Sequence, residues 1–204
     1  MYKLGLIFAG ALAAVALLLG VGAVFLLGTH GLSAREQPGP FERWMARQAR
    51  ALAVPKDARS RANPVPDSPQ IQADARAHWA DHCAACHSNN GSGDVEMGKH
   101  MYPPAPNMRQ PETQQLTDGE LFFIIQNGIR MTGMPAWGSG SPHDEQDSWK
   151  LVRFIRHLPQ LTPEEEREMQ ALNPKSPDEL KEEQEERDFL NGDQSHEHAE
   201  HHHH

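Results

Sequence analysis

Cys83-Ala84-Ala85-Cys86-His87 brings together the groups in this chain most able to do chemistry. Two thiols separated by two residues, with an imidazole next in line, form the arrangement to which a c-type haem attaches. The thiols add to the two porphyrin vinyl groups as thioethers, and the histidine lies beneath the iron as the proximal ligand. A redox Cys-x-x-Cys and half of a zinc site share the cysteine spacing. The first has no need of the histidine, and the second wants further ligands at matching spacing. The chain contains two cysteines in all, so a single covalent haem c consumes both and leaves none for a disulfide.

The function of such a centre depends on the second axial ligand. Downstream candidates are Met97, Met101, Met108, Met131, Met134, His100, His143 and His157. Met134 is best placed, in Thr132-Gly133-Met134-Pro135-Ala136-Trp137 between two predicted helices. Gly133 lets the backbone approach closely and Pro135 stiffens the chain just after the sulfur. A thioether is a soft, neutral ligand that raises the reduction potential. Met131 is the second choice. His100 would give a bis-histidine site of lower potential, but it follows closely behind the attachment motif. With His87 and Met134 both on iron, no position is left for a substrate, and outer-sphere electron transfer follows.

The elements that must position these residues are helical. Ser68-Pro69 supplies an N-cap and a first-turn proline for a helix carrying Ile71, Ala75 and Trp79 toward the cysteines. A glycine-bearing loop and Tyr102-Pro103-Pro104-Ala105-Pro106 follow. Thr117-Asp118-Gly119-Glu120 is a capping box that opens a helix with Leu121, Phe122, Ile124 and Ile125, ended by Asn127-Gly128. Ser141-Pro142 starts a last core helix with Trp149, Leu151, Val152, Phe154, Ile155 and Leu158, which stops at Pro159. No run shows strand alternation, so the domain reads as all-α.

At this point the chain resembles the class I c-type cytochromes, and in particular the small monohaem domains of the cbb3 oxidase subunit III type, over about residues 70–160. The resemblance implies a small cytochrome c-like helical domain around covalent haem. It also implies that Trp79, four before the first cysteine, packs against the C-terminal helix. Ala75 stands where the family usually has glycine, which should push the helix crossing slightly apart. The proline carbonyl that accepts a hydrogen bond from the proximal imidazole falls on Pro106, with Pro104 as the alternative match.

Outside this core, Leu4 to Gly28 carries no charged side chain and is long enough to span a hydrocarbon layer of about 30 Å. An uncleaved signal-anchor is favoured over a signal peptide, whose apolar region usually runs only about 7–15 residues. Arg35, Arg43, Arg47 and Arg50 follow the span, which by the positive-inside rule would place them in the cytoplasm. Haem attachment outside the cytoplasm outweighs that count. Phe41–Val54 reads as an amphipathic helix, either packed on the neighbouring domain or lying on anionic lipid. Pro55–Pro69 reads as an extended linker. The segment 29–62 is basic, with seven Lys and Arg against three Asp and Glu, whereas 161–204 has four against fourteen. The balance excludes nucleic acid and favours a neutral or cationic protein partner.

The organisation expected is therefore a transmembrane signal-anchor (1–30), an amphipathic helix and Pro-rich linker (31–67), a cytochrome c domain (68–160), and an acidic helical and disordered extension with a His-rich tail (161–204). His196, His198 and His201–His204 have the density to bind a divalent metal, to serve no role, or to be a cloning remnant. The expected function is non-enzymatic: a carrier tethered to the bacterial cytoplasmic membrane, its haem domain periplasmic, exchanging electrons with a membrane oxidase or dehydrogenase. An accessory subunit of a larger respiratory complex is the alternative. A peroxide- or gas-reactive haem enzyme or sensor is the third.

Overall fold

The computed structural model describes residues 2–30 and 33–190, and every regular element among them is helical. The first helix, α1 (Tyr2–His30), contains an uncharged stretch, Gly5–Phe25, with a mean hydropathy of 2.5. At 1.5 Å per residue this stretch is about 31 Å long, enough to cross a membrane. The next helix, α2 (Pro40–Ala53), has no buried residue.

The packed body begins at Val54. A short α3 (Lys56–Ser60) leads through 61–68 to α4 (Pro69–His78), whose first turn is capped by Ser68 Oγ accepting from the Ile71 N–H at 3.3 Å. A π-helical turn, Trp79–Cys83, then joins α4 to α5 (Ala84–His87). The single turns α6 (Glu96–Lys99) and α7 (Pro111–Gln114) follow. The capping box predicted at Thr117 and Glu120 opens α8 (Asp118–Asn127). Helix α9 (Pro142–His157), capped by Ser141, runs into a 3-10 turn at Leu158–Gln160. Thr162 and Glu165 form a second capping box at α10 (Pro163–Gln170), and α11 (Pro177–Leu190) closes the described chain.

Helices α4 and α9 cross at the centre, where Ala75, Val152 and Phe154 have no solvent exposure. Alanine at position 75 is small enough for this contact. Helix α8 adds Leu121, Phe122 and Ile125 to the same core, and Phe122 stacks on Trp149 with ring centroids 4.1 Å apart.

Two segments depart from the sequence reading. The stretch 55–69, expected to be an extended linker, is folded onto the body. Val54, Ala58 and Val65 are buried, α3 packs on α8, and the Asn63 amide donates to the Trp149 carbonyl at 2.9 Å. Arg153 Nε donates to the Val65 carbonyl at 2.8 Å, and the Arg61 guanidinium lies 4.5 Å over the Phe122 ring. The prolines mask this packing in sequence because they are compatible with extended backbone whether or not it is docked. The acidic extension is also mixed. Helix α11 buries nothing, as its composition predicts, but α10 places Met169 fully inside the core. The His-rich tail lies outside the described residues.

Glu165 fastens α10. Its carboxylate sits 2.5 Å from Arg76 Nη1 of α4 and 3.0 Å from His157 Nε2 of α9. Partial burial opposes ionisation, but the Thr162 N–H, the His157 ring and the Arg76 charge outweigh it and hold the carboxyl at about 2. A folded-state value below the ordinary 4.5 means this stabilisation is complete above about pH 4.5 and is lost as pH falls toward 2. Glu165→Gln should therefore cost on the order of 1–3 kcal/mol near neutrality. In denaturant melts the gap between the two proteins should narrow from pH 6 to pH 3. A pH-independent gap would assign the loss to packing instead.

Candidate functional site

The π-helical turn at Trp79–Cys83 ends where α5 begins, so Cys83 and Cys86 stand one helical turn apart, and both line one cleft with His82 and His87. Trp79 fixes this turn from behind. Its buried indole Nε1 donates to the Ser88 carbonyl at 3.0 Å, closing the segment just past His87. The same ring meets Phe154 of α9 edge-on at 5.4 Å and lies 5.8 Å from the His87 imidazole. Trp79 thus packs on the C-terminal helix without itself lining the cleft.

Burial sets the protonation of the motif. It pushes the His87 imidazole down to about 4, so the ring is neutral at pH 7 with a lone pair free to bind a metal. It pushes the Cys83 thiol up to about 12, with Cys86 adding to the effect, and raises the Cys86 thiol as well. A nucleophilic Cys-x-x-Cys needs the opposite shift. Among the described residues no cluster of three or more His, Cys, Asp or Glu is placed to hold a metal ion, which removes the zinc alternative there.

The far wall is built by two loops. Met101 and Pro103–Pro106 come from the segment after α6, and Ile129, Thr132–Pro135 and Trp137 from the segment after α8. Together they line a mainly apolar cleft that is partly open to solvent, the character common to cofactor sites. The second loop is tied back on α8. The Ile129 N–H donates to the Met134 carbonyl at 3.1 Å, the Met134 N–H to Thr132 Oγ1 at 3.1 Å, and the Trp137 N–H to the Ile125 carbonyl at 3.1 Å. Gly128, which ends α8 at φ +65°, permits this return. A β-carbon there would lie 2.6 Å from the Pro135 carbonyl carbon.

Of the predicted ligands, Met134 lines the cleft, and so does Met101. Met131 points away at 93 % exposure, so it is not available as the second choice. His100 is exposed and paired with Glu96, His143 with Asp147, and His157 with Glu165. Met108 packs on the core, and the exposed Met97 places its sulfur 3.4 Å from the Cys86 Sγ. Pro106 and Pro104 both line the cleft, yet the expected bond from His87 to Pro106 is not formed: Nδ1 is buried without a partner. The Ala105 and Pro106 carbonyl oxygens both lie close to Gly93, the Ala105 oxygen nearer.

Two cleft residues, Met101 and His82, are not singled out as site residues by the sequence reading. Met101, noted only as one of many candidates, abuts Gly133, where a β-carbon would run into its side chain. His82 precedes Cys83 and meets the Trp137 ring edge-on at 5.7 Å. Adjacency to the motif was the available signal for His82; nothing local marks Met101.

These residues fit a haem. A neutral buried imidazole sits beside two protonated thiols one turn apart, the apolar cleft could receive a porphyrin, and the thioethers of Met101 and Met134 line the other wall. Residues 70–155 match the family model for cytochrome c oxidase, cbb3-type, subunit III. No curated protein matches the chain. The matched segment, which carries the Cys83–His87 motif, both walls of the cleft and most of α9, is a class I c-type cytochrome domain.

Proposed function

We propose that this chain is a membrane-tethered electron carrier that passes single electrons between redox proteins at the outer face of the cytoplasmic membrane. The observation that carries the proposal is the cleft itself, with the neutral His87 on one wall and the Met134 thioether on another. Bound there, a haem supplies a one-electron Fe(II)/Fe(III) couple. Cys83 and Cys86 would hold it as thioethers, and His87 and Met134 would supply the protein's two iron ligands.

The protein's own part is to hold these groups still. Trp79 and the Ser88 carbonyl lock the turn that presents His87, and the hydrogen bonds across 125–137 lock the Met134 loop. Held in this way, His87 and Met134 would change position little between oxidation states, and the apolar wall would limit water entry. Helix α1 as an uncleaved span would raise the carrier's effective concentration near membrane partners, so that a small, weak interface below about 1,200 Å² suffices for each encounter. The family match to an oxidase subunit supports a second reading, in which the domain is an accessory subunit of a respiratory complex. Co-purification of a defined set of subunits after mild detergent extraction distinguishes that reading from a free carrier.

Replacing Met134 by Ala should leave the haem covalently bound while abolishing the weak far-red absorption of sulfur-ligated ferric iron. The potential should fall by more than about 100 mV, a fraction of the roughly 0.8 V that axial ligation spans. Met131→Ala should change neither. Loss of the band in Met101→Ala with its retention in Met134→Ala would transfer the ligand role to Met101. Rapid carbon monoxide uptake by the reduced wild type would instead favour the enzyme or sensor reading.

Thiol titration of the denatured, haem-loaded protein should find no free thiol. Cys83→Ala and Cys86→Ala should each leave a single thioether, with the corresponding shift of the reduced absorption maximum to longer wavelength. Two titratable thiols in protein that retains its haem would refute covalent attachment.

A further inference from the structure

Helix α2 is amphipathic in the wrong sense for a helix that belongs only to its own domain. A surface helix normally turns its apolar stripe inward and its charges to water. At 3.6 residues per turn, Phe41, Trp44, Met45 and Leu52 fall within an arc of about 100°, with Arg43, Arg47 and Arg50 on the opposite side. The apolar arc faces out. Phe41 is 70 % exposed, Trp44 and Met45 51 %, and Leu52 87 %, and the Phe41 and Trp44 rings stack on each other at 6.0 Å. Charged residues meet the protein instead. Glu42 accepts a hydrogen bond from the Tyr102 hydroxyl at 2.5 Å, and Arg50 is partly buried within the field of Glu120 on α8.

Position in the chain identifies what covers the exposed arc. Nine residues separate the end of α1 from the start of α2, and the steps between them reach at most about 36 Å. On the other side there is no slack, because Val54, Ala58 and Val65 are buried in the body. An apolar face with a tryptophan, held this close to the end of a span, matches the aromatic and aliphatic composition of helices at membrane interfaces. The excess of Lys and Arg across 29–62 favours an anionic surface there.

We propose that α2 lies in the interfacial layer of the bilayer crossed by α1, with Phe41, Trp44, Met45 and Leu52 inserted at the boundary between headgroups and acyl chains. The proposal rests on the reading of α1 as an uncleaved span. Its functional consequence follows from the bond between Glu42 and Tyr102. Tyr102 adjoins Pro103–Pro106, one wall of the cleft, so the helix holds that wall beside the membrane. The docking surface is then offered to redox partners embedded in the same bilayer.

The test uses the full haem-loaded chain in vesicles of phosphatidylcholine and phosphatidylglycerol. With Cys83 and Cys86 consumed as thioethers, Met45→Cys, Leu52→Cys and Arg47→Cys each introduce a single thiol for a nitroxide label, and a parent chain that takes up no label verifies this. Labels at 45 and 52 should collide several-fold more with lipid-soluble oxygen than with a water-soluble nickel chelate, and the label at 47 should show the reverse. Chelate-dominated collisions at 45 and 52 would overturn the proposal. Shielding from both agents would overturn it too, since a protein surface would then cover the face. Alkaline carbonate extraction separates the two readings. Retained protein with water-exposed labels leaves α1 as a span and defeats only α2, whereas released protein defeats both.

Discussion

The indole of Trp79 is the contact on which the site depends. It is reached from α4, it fills the space against Phe154 of α9, and its N–H closes the turn at Ser88. A single side chain therefore ties the cysteine segment to the helix crossing. Ala75 and Val152, both fully buried, show how closely the two helices approach around it. Removing that ring would free the His87 segment from α9 even with every residue of the motif intact. Trp79 thus positions His87 without itself lining the cleft.

Desolvation then does the chemical work. An imidazole in water is partly protonated near neutrality, and a protonated ring cannot bind iron. Behind Trp79 the ring is held neutral, and the same burial keeps both thiols protonated rather than reactive toward a passing disulfide. The apolar cleft that suits a porphyrin is therefore also what suppresses the competing chemistries of a Cys-x-x-Cys. The second wall is rigid for a different reason. Backbone hydrogen bonds fold the Met134 loop back on α8, and they require Gly128 at the point of return.

The segments flanking the matched domain serve this core unequally. Residues 54–65 and α10 belong to the packed body, the first through buried Val54 and Val65 and the second through Met169 and the Glu165 ion pairs. Helix α11 contributes no buried residue. Helix α2 touches the body through Glu42 and leaves its apolar face uncovered. The proposed membrane interface would complete this arrangement.

The sequence by itself determined the chemistry and the helical scaffold, because both are local. The thiol and imidazole spacing, the capping box at Thr117, the caps at Ser68 and Ser141, and the loop around Met134 each lie within a few residues of chain. Only the tertiary structure decided which sulfurs meet. Met131 and Met134 are three apart, yet one points to solvent and the other lines the cleft. Met101, far away in sequence, abuts Gly133. The docking of 54–65, the entry of Met169 into the core and the missing bond between His87 and Pro106 were equally illegible. Each depends on how distant segments share one small interior, and close packing is a property of the assembled volume rather than of any local pattern.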